Sequence, residues 1–125
     1  WSIFKSPLMF GGDMPSCDEW TLSLITNDEV LAVNQHGQNP RQLFRDSNEA
    51  VWLSDVPDSK DKYVALFNLN DKEAMDISSD FAKMGLAGRC IVKDLWTHKE
   101  MGAFENSFGV KINTHGAGLY RVTPQ

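Results

Sequence analysis

Apolar and polar positions divide the chain near residue 36. Before it, residues 7–10 (PLMF) form a continuous apolar run rather than an alternating one. Such a run predicts a strand buried on both faces, as in a parallel sheet. Gly11 and Gly12 permit a tight turn after it, and Asp13 follows at the strand's carboxyl end. Ser16 and Glu19 have capping-box spacing, so a helix is expected from there. Trp20 and Leu24 share one face of it, widened by Leu22 and Ile25. Asn27 reads as a second cap, with Asp28 and Glu29 in the favourable first turn of a short helix ending near Asn34.

Residues 36–42 (HGQNPRQ) are a loop by composition, and strand patterns recur after them at short intervals. RQLFRD and EAVWLSD flank a hairpin turn at DSN. The strongest strand is 62–69, with Val64, Leu66 and Asn68 on one face and Tyr63, Ala65, Phe67 and Leu69 on the other. Residues 73–80 alternate with Met75, Ile77 and Ser79 on one side, and a turn ends at Gly85. GRCIVKDLW is another strand, and FGVKINTHGAGLYRVTP is expected to close as a pair about an HGAG turn. About seven strands with tight connections point to an antiparallel sandwich.

The stretches WSIFKSPLMFGGDM, LITNDEVLAVNQ, VWLSD, KYVALFNLN, MGLAGRCIVKDLW and HGAGLYRVTP, taken in order, resemble the end of the family 27 glycoside hydrolases. These are the α-galactosidase (melibiase) and α-N-acetylgalactosaminidase group. The resemblance covers essentially the whole chain; His36 and Gly37 depart from the family's pattern at the linker. It implies a mainly β fold: an antiparallel Greek-key β-sandwich over residues 38–125, preceded at 1–37 by the last strand–helix unit of a truncated (β/α)8 barrel. Barrels of this type run to about 250 residues, so the chain, which begins at Trp1, is expected to be a piece of a longer protein. The missing barrel would then be its partner, with oligosaccharide reached through the parent. An extracytoplasmic parent (secreted, periplasmic or lysosomal) is implied by the same resemblance.

A net charge of −5 and the lack of a Lys/Arg cluster argue against nucleic acid or an anionic membrane as partner. No apolar run reaches the length of a membrane span. Cys17 and Cys90 make neither a disulfide framework nor a zinc motif, and are read as free thiols. His36, His98 and His115 have no metal-ligand spacing, so neither metal nor cofactor is expected.

A retaining glycosidase needs two carboxyl groups about 5–5.5 Å apart across the scissile bond. The family carries both as aspartates on earlier barrel strands, so neither maps onto this chain, which by resemblance is inactive alone. Asp13 is the one residue that could stand on the substrate side, because barrel enzymes place function at the carboxyl ends of their strands. Its ordinary role would be to fix the turn after Gly12. Trp52, Tyr63, Trp96 and Tyr120 could form a sugar-stacking platform, but such rings more often pack a core or a domain interface. That platform would suit the alternative, a free-standing carbohydrate-binding sandwich. In isolation, apolar side chains of residues 1–35 are expected to self-associate or to pack onto the sandwich.

Overall fold

A computed structural model describes residues 1–125. A 3-10 turn at Met14–Ser16 is followed by helix α1 (Glu19–Ile25) and helix α2 (Asp28–His36). The strands are β1 (Gln38–Arg45), β2 (Glu49–Asp55), β3 (Lys62–Asn68), β4 (Met75–Asp80), β5 (Arg89–Asp94), β6 (Lys99–Glu105), β7 (Ser107–Ile112) and β8 (Ala117–Pro124), with a 3-10 turn at Ala82–Met84. They form a six-stranded sheet in the order β1-β2-β3-β8-β5-β6 and a two-stranded sheet β4-β7, antiparallel throughout. The expected antiparallel sandwich is therefore what the chain forms.

β3 shows why the sequence folds this way. Its two predicted faces both meet apolar partners. Val64 and Leu66 enter the core between the sheets with Ile77, Phe81, Phe108 and Tyr120. Tyr63 and Ala65 enter a second core with Ile3, Val30, Val33, Leu95 and Leu119, on the opposite face of the large sheet. A central strand covered on both sides reads as nearly continuous apolar sequence. In the inter-sheet core, Phe108 stands edge-on to Tyr120 with ring centroids 5.5 Å apart. Each such large side chain stabilises by roughly 1.5–3 kcal/mol when fully buried. β4 turns Ile77 and Ser79 inward as its alternation requires. Gly85 ends the following turn at φ 77°, a left-handed conformation in which a Cβ is strained.

Four expectations are corrected. Residues 7–10 form no strand; they are unpaired, with Met9 87% exposed. A strand needs hydrogen-bonding neighbours, and no strand of either sheet pairs with this one. Asp18, not Ser16, caps α1, because its carboxylate accepts from Thr21 N at 2.7 Å. β6 is an eighth strand that the apolar pattern hides: it lies at the sheet edge, and most of its residues are exposed. Finally, β7 and β8 do not pair. β7 joins β4 and β8 inserts between β3 and β5, so the HGAG turn crosses from one sheet to the other. That crossing sets Phe108 and Tyr120 on opposite sheets, where their rings meet edge-on across the core.

Candidate functional site

The outer face of the six-stranded sheet is covered by residues 1–5 and α2, and most candidate residues lie there or just beyond it. The covering layer is tied together by polar bonds. Ser2 Oγ donates to Val30 O at 2.7 Å, Lys5 Nζ donates to Gly37 O at 2.7 Å, and Asn34 Nδ2 donates to Ser6 O at 2.8 Å. Gly37 allows α2 to end hard against β2: a Cβ there would stand 2.7 Å from Ser54 Oγ and 2.5 Å from Val33 O.

Asn27 fixes this layer to the sandwich. Its Oδ1 accepts from Val30 N at 3.1 Å, capping α2 as expected. Its Nδ2 donates to Leu95 O at 2.9 Å and Trp96 O at 3.3 Å in the β5–β6 turn. The cap was legible from the sequence; the second half of its role was not.

Asp13 is exposed, and its Oδ2 accepts from Ser16 Oγ at 2.6 Å. Ser16 N also donates to Asp13 O at 3.2 Å. The structure thus gives Asp13 the turn-fixing bond. Beyond it, Leu22, Phe10, Met14 and Trp20 continue an exposed apolar surface; Trp20 is 69% exposed.

The four aromatic candidates are not assembled into a platform. Tyr120 lies in the inter-sheet core and Tyr63 beneath α2. Trp52 meets Phe4 edge-on, with centroids 4.4 Å apart, and Phe4 in turn stacks on Phe67 at 5.9 Å. Trp96 packs at the other end of the same layer. Between Trp1, Ile3, Phe67 and Trp96 a mostly apolar cavity of about 200 Å³ opens over Ala65 and Gly118. Burial holds the Tyr63 hydroxyl above its ordinary range. Burial, with the Asp94 charge adding, pushes Tyr120 up to about 12.

Two carboxylates, half-buried Asp55 and buried Asp61, act as fasteners that the sequence did not reveal. Asp55 accepts from Lys62 Nζ at 2.8 Å, both terminal nitrogens of Arg41 at 3.2 Å and Asn39 Nδ2 at 3.1 Å. Burial pushes its pKa up, but Lys62, Arg41 and Asn39 outweigh it and bring it down to about 2. Asp61 accepts from Arg121 Nε at 2.7 Å and Thr123 Oγ1 at 2.9 Å. There too burial opposes and the hydrogen bonds prevail, so the pKa is lowered.

His36, His98 and His115 lie on separate elements; His98 contacts Glu29 and His115 contacts Asp71. No group of three His, Cys, Asp or Glu side chains converges as a metal site. Cys90 is buried and Cys17 half-buried, both as free thiols.

Comparison with known proteins bears on the whole chain. Residues 46–122 match the family model described as the alpha galactosidase C-terminal beta sandwich domain. An α-galactosidase of Oryza sativa subsp. japonica is 30% identical over 128 residues, which is 99% of this chain and 30% of that protein. A crystal structure of a family GH27 β-L-arabinopyranosidase from Geobacillus stearothermophilus matches 99% of this chain and 28% of its own, at 36% identity and a TM-score of 0.94. An isomalto-dextranase of Arthrobacter globiformis is 34% identical over 81% of this chain and 17% of its own length. The chain therefore spans under a third of the length of each of these relatives, and their named sugars differ.

Proposed function

This chain belongs to the family of the α-galactosidase C-terminal β-sandwich domain, and on that premise we propose that it is the C-terminal portion of a retaining, α-galactosidase-like glycoside hydrolase. In this reading residues 38–125 are a non-catalytic sandwich, and 1–37 are the closing strand–helix unit of a (β/α)8 barrel. The catalytic aspartates belong to the rest of the parent, which hydrolyses terminal α-linked galactosyl residues. In that parent residues 7–10 gain the strand partners they lack here, which places Asp13 at the carboxyl end on the substrate side. The sandwich braces the barrel through the layer that α2 and residues 1–5 form on its outer face.

One observation carries this reading. Matches to full-length glycosidases run through residues 1–37 as well as the sandwich, yet cover under a third of each relative. The exposed Leu8, Met9, Phe10 and Trp20 support it, since an apolar surface of this kind marks an interaction site. The differing sugars of the relatives support assigning substrate choice to the barrel rather than to this part.

The test has two arms. The purified chain is expected to give no turnover of an aryl α-galactoside; turnover that Asp13→Asn abolishes would overturn the non-catalytic assignment. The parent expressed without residues 38–125 is expected to lose thermal stability and soluble yield. A barrel that keeps its Tm and kcat/KM without the sandwich would sink the bracing role.

A further inference from the structure

Glu29 stands in the first turn of α2, and its two oxygens face different parts of the sandwich. Oε1 takes Lys93 Nζ of β5. Oε2 is buried and makes no hydrogen bond. His98 Nδ1, in the turn between β5 and β6, lies 3.3 Å from it, but off the line that a ring N–H donor needs. Buried polar atoms in folded proteins are almost always partnered, so an orphan oxygen beside an imidazole calls for a physical account.

The turn that carries His98 is held independently of the imidazole. Asp94 Oδ1 accepts from Trp96 N at 2.8 Å and Thr97 N at 3.3 Å, and Asn27 Nδ2 binds the carbonyls of Leu95 and Trp96. His98 itself is set at φ 61°, in the left-handed region. The turn therefore keeps its place without help from the imidazole, and the half-exposed ring is free to turn its Nδ1–H onto Glu29 Oε2 when it is protonated.

We propose that His98 is a pH-sensitive pin between helix α2 and the β5–β6 turn, with the imidazolium Nδ1–H supplying the partner that Glu29 Oε2 lacks. In the imidazolium both ring nitrogens carry a proton; in the neutral ring only one does. The neutral ring with a bare Nδ1 sets a lone pair against a carboxylate oxygen. The titratable groups that line the pocket beside Glu29 are Lys93 of β5, Arg121 of β8 and the Tyr63 hydroxyl of β3, and Asp28, Asp94, Lys99 and Glu100 stand within two residues of Glu29, Lys93 or His98 along the chain. The carboxylate left unsatisfied is the one that faces the ring.

The sign follows from the charges. The pin is made on the acid side of the range, between about pH 5 and 8, over which imidazoles change charge, and it is lost as pH rises through that range. If α2 is the last helix of a barrel, the pin tunes the joint between barrel and sandwich; that consequence rests on the function proposed above. The pin itself lies within this chain, and its test reads nothing else.

The experiment is thermal unfolding of the chain at about pH 5.5 and pH 8, comparing wild type with His98→Asn, Glu29→Gln and the double variant. Asn is chosen because it tolerates the left-handed backbone. Wild type should exceed His98→Asn by about 2–4 °C more at the acid pH than at the alkaline one, a size set by a half-exposed ion pair. The excess should vanish in the Glu29→Gln background, and also in about 1 M sodium chloride, which screens exposed pairs. A wild-type advantage that is the same at both pH values, or that survives either treatment, overturns the proposal. Should Glu29→Gln fail to fold, the salt arm decides alone.

Discussion

Asn27 performs two jobs with one side chain, and they separate by mutation. Its oxygen caps α2 through Val30 N, and its amide nitrogen reaches two carbonyls of the β5–β6 turn. The side chain is buried, at 6% exposure. Replacement by Ala removes the cap, worth about 0.5–2 kcal/mol. It also strips the donor from buried carbonyls, worth about 1–3 kcal/mol. Since one residue carries both, the terms overlap, and Asn27→Ala should cost about 2–4 kcal/mol. Asn27→Ser keeps a cap acceptor and loses the reach, so it should fall between Ala and wild type. Asn27→Asp is the discriminating variant. It keeps the best cap chemistry but replaces a donor with a carboxylate aimed at two carbonyl oxygens. At pH 7 it should be at least as damaging as Ala. Relative to wild type it should recover on acidification, when the carboxyl regains a proton to donate. Urea unfolding at pH 7 and pH 4, read as midpoint shifts at constant slope, measures all three. If Asn27→Asp matches wild type at pH 7, the donor half has no weight and the joint between α2 and the sandwich is wrongly described.

Asp55→Asn should destabilise by about 1–2 kcal/mol at pH 7. The drop from 3.8 to about 2 sets the ceiling, and the partial exposure of Arg41 lowers it. A depressed carboxylate stabilises above its unfolded pKa and stops doing so as pH falls through its folded value, so variant and wild-type urea midpoints should converge between about pH 4 and 2. A constant offset would refute the assignment. Gly118→Ala should cost roughly 1–3 kcal/mol by overpacking, because its Cβ would stand 2.2 Å from the hydroxyl of buried Tyr120; differential scanning calorimetry with an unchanged Tm would contradict this. The chain alone should show concentration-dependent association in sedimentation, reduced by Met9→Ser with Trp20→Ser. Association unaffected by the pair would place the contact elsewhere.

How far the sequence carried depended on whether a residue's partners were local. β3 was legible to the face because alternation alone assigns Val64 and Leu66 to one side and Tyr63 and Ala65 to the other. β6 was not, since an edge strand with Met101 and its neighbours exposed carries little apolar rhythm. Alternation also says nothing about which strand lies alongside. The β7–β8 hairpin was a reasonable local inference, and the crossing between sheets overrode it. The same limit applied to polar residues. Asn27 as a cap reaches three positions along the chain and was visible; its donor contact reaches 68 and was not. Asp61 takes Arg121 and Thr123 from 60 and 62 positions away, and Asp55 draws on both strands beside its own, which no spacing in the sequence announces.

The failure at residues 7–10 has another cause, and it separates the first 37 residues into two kinds. Apolar sequence states a need for burial; whether the need is met depends on what else is folded beside it. Ile3, Val30 and Val33 are at most 3% exposed, because the outer face of β3 and β8 receives them. Leu8, Met9, Phe10, Trp20 and Leu22 read as equally core-like and are all exposed, as is Met14. The sandwich therefore buries Ile3 of the turn at 1–5 and the inner side of α2, and leaves 8–22 unsatisfied. Side chains worth roughly 1.5–3 kcal/mol each on burial make that segment the more costly part of this chain to keep in water. Under the proposed function the bracing surface is then not the sandwich face itself, which α2 already occupies. It is α2, gripped by Asn27 below and joined above to residues that require a further neighbour. Under the proposed function that neighbour is the barrel, and substitutions at the grip should weaken the parent enzyme at a distance from its chemistry, lowering Tm before they alter kcat/KM.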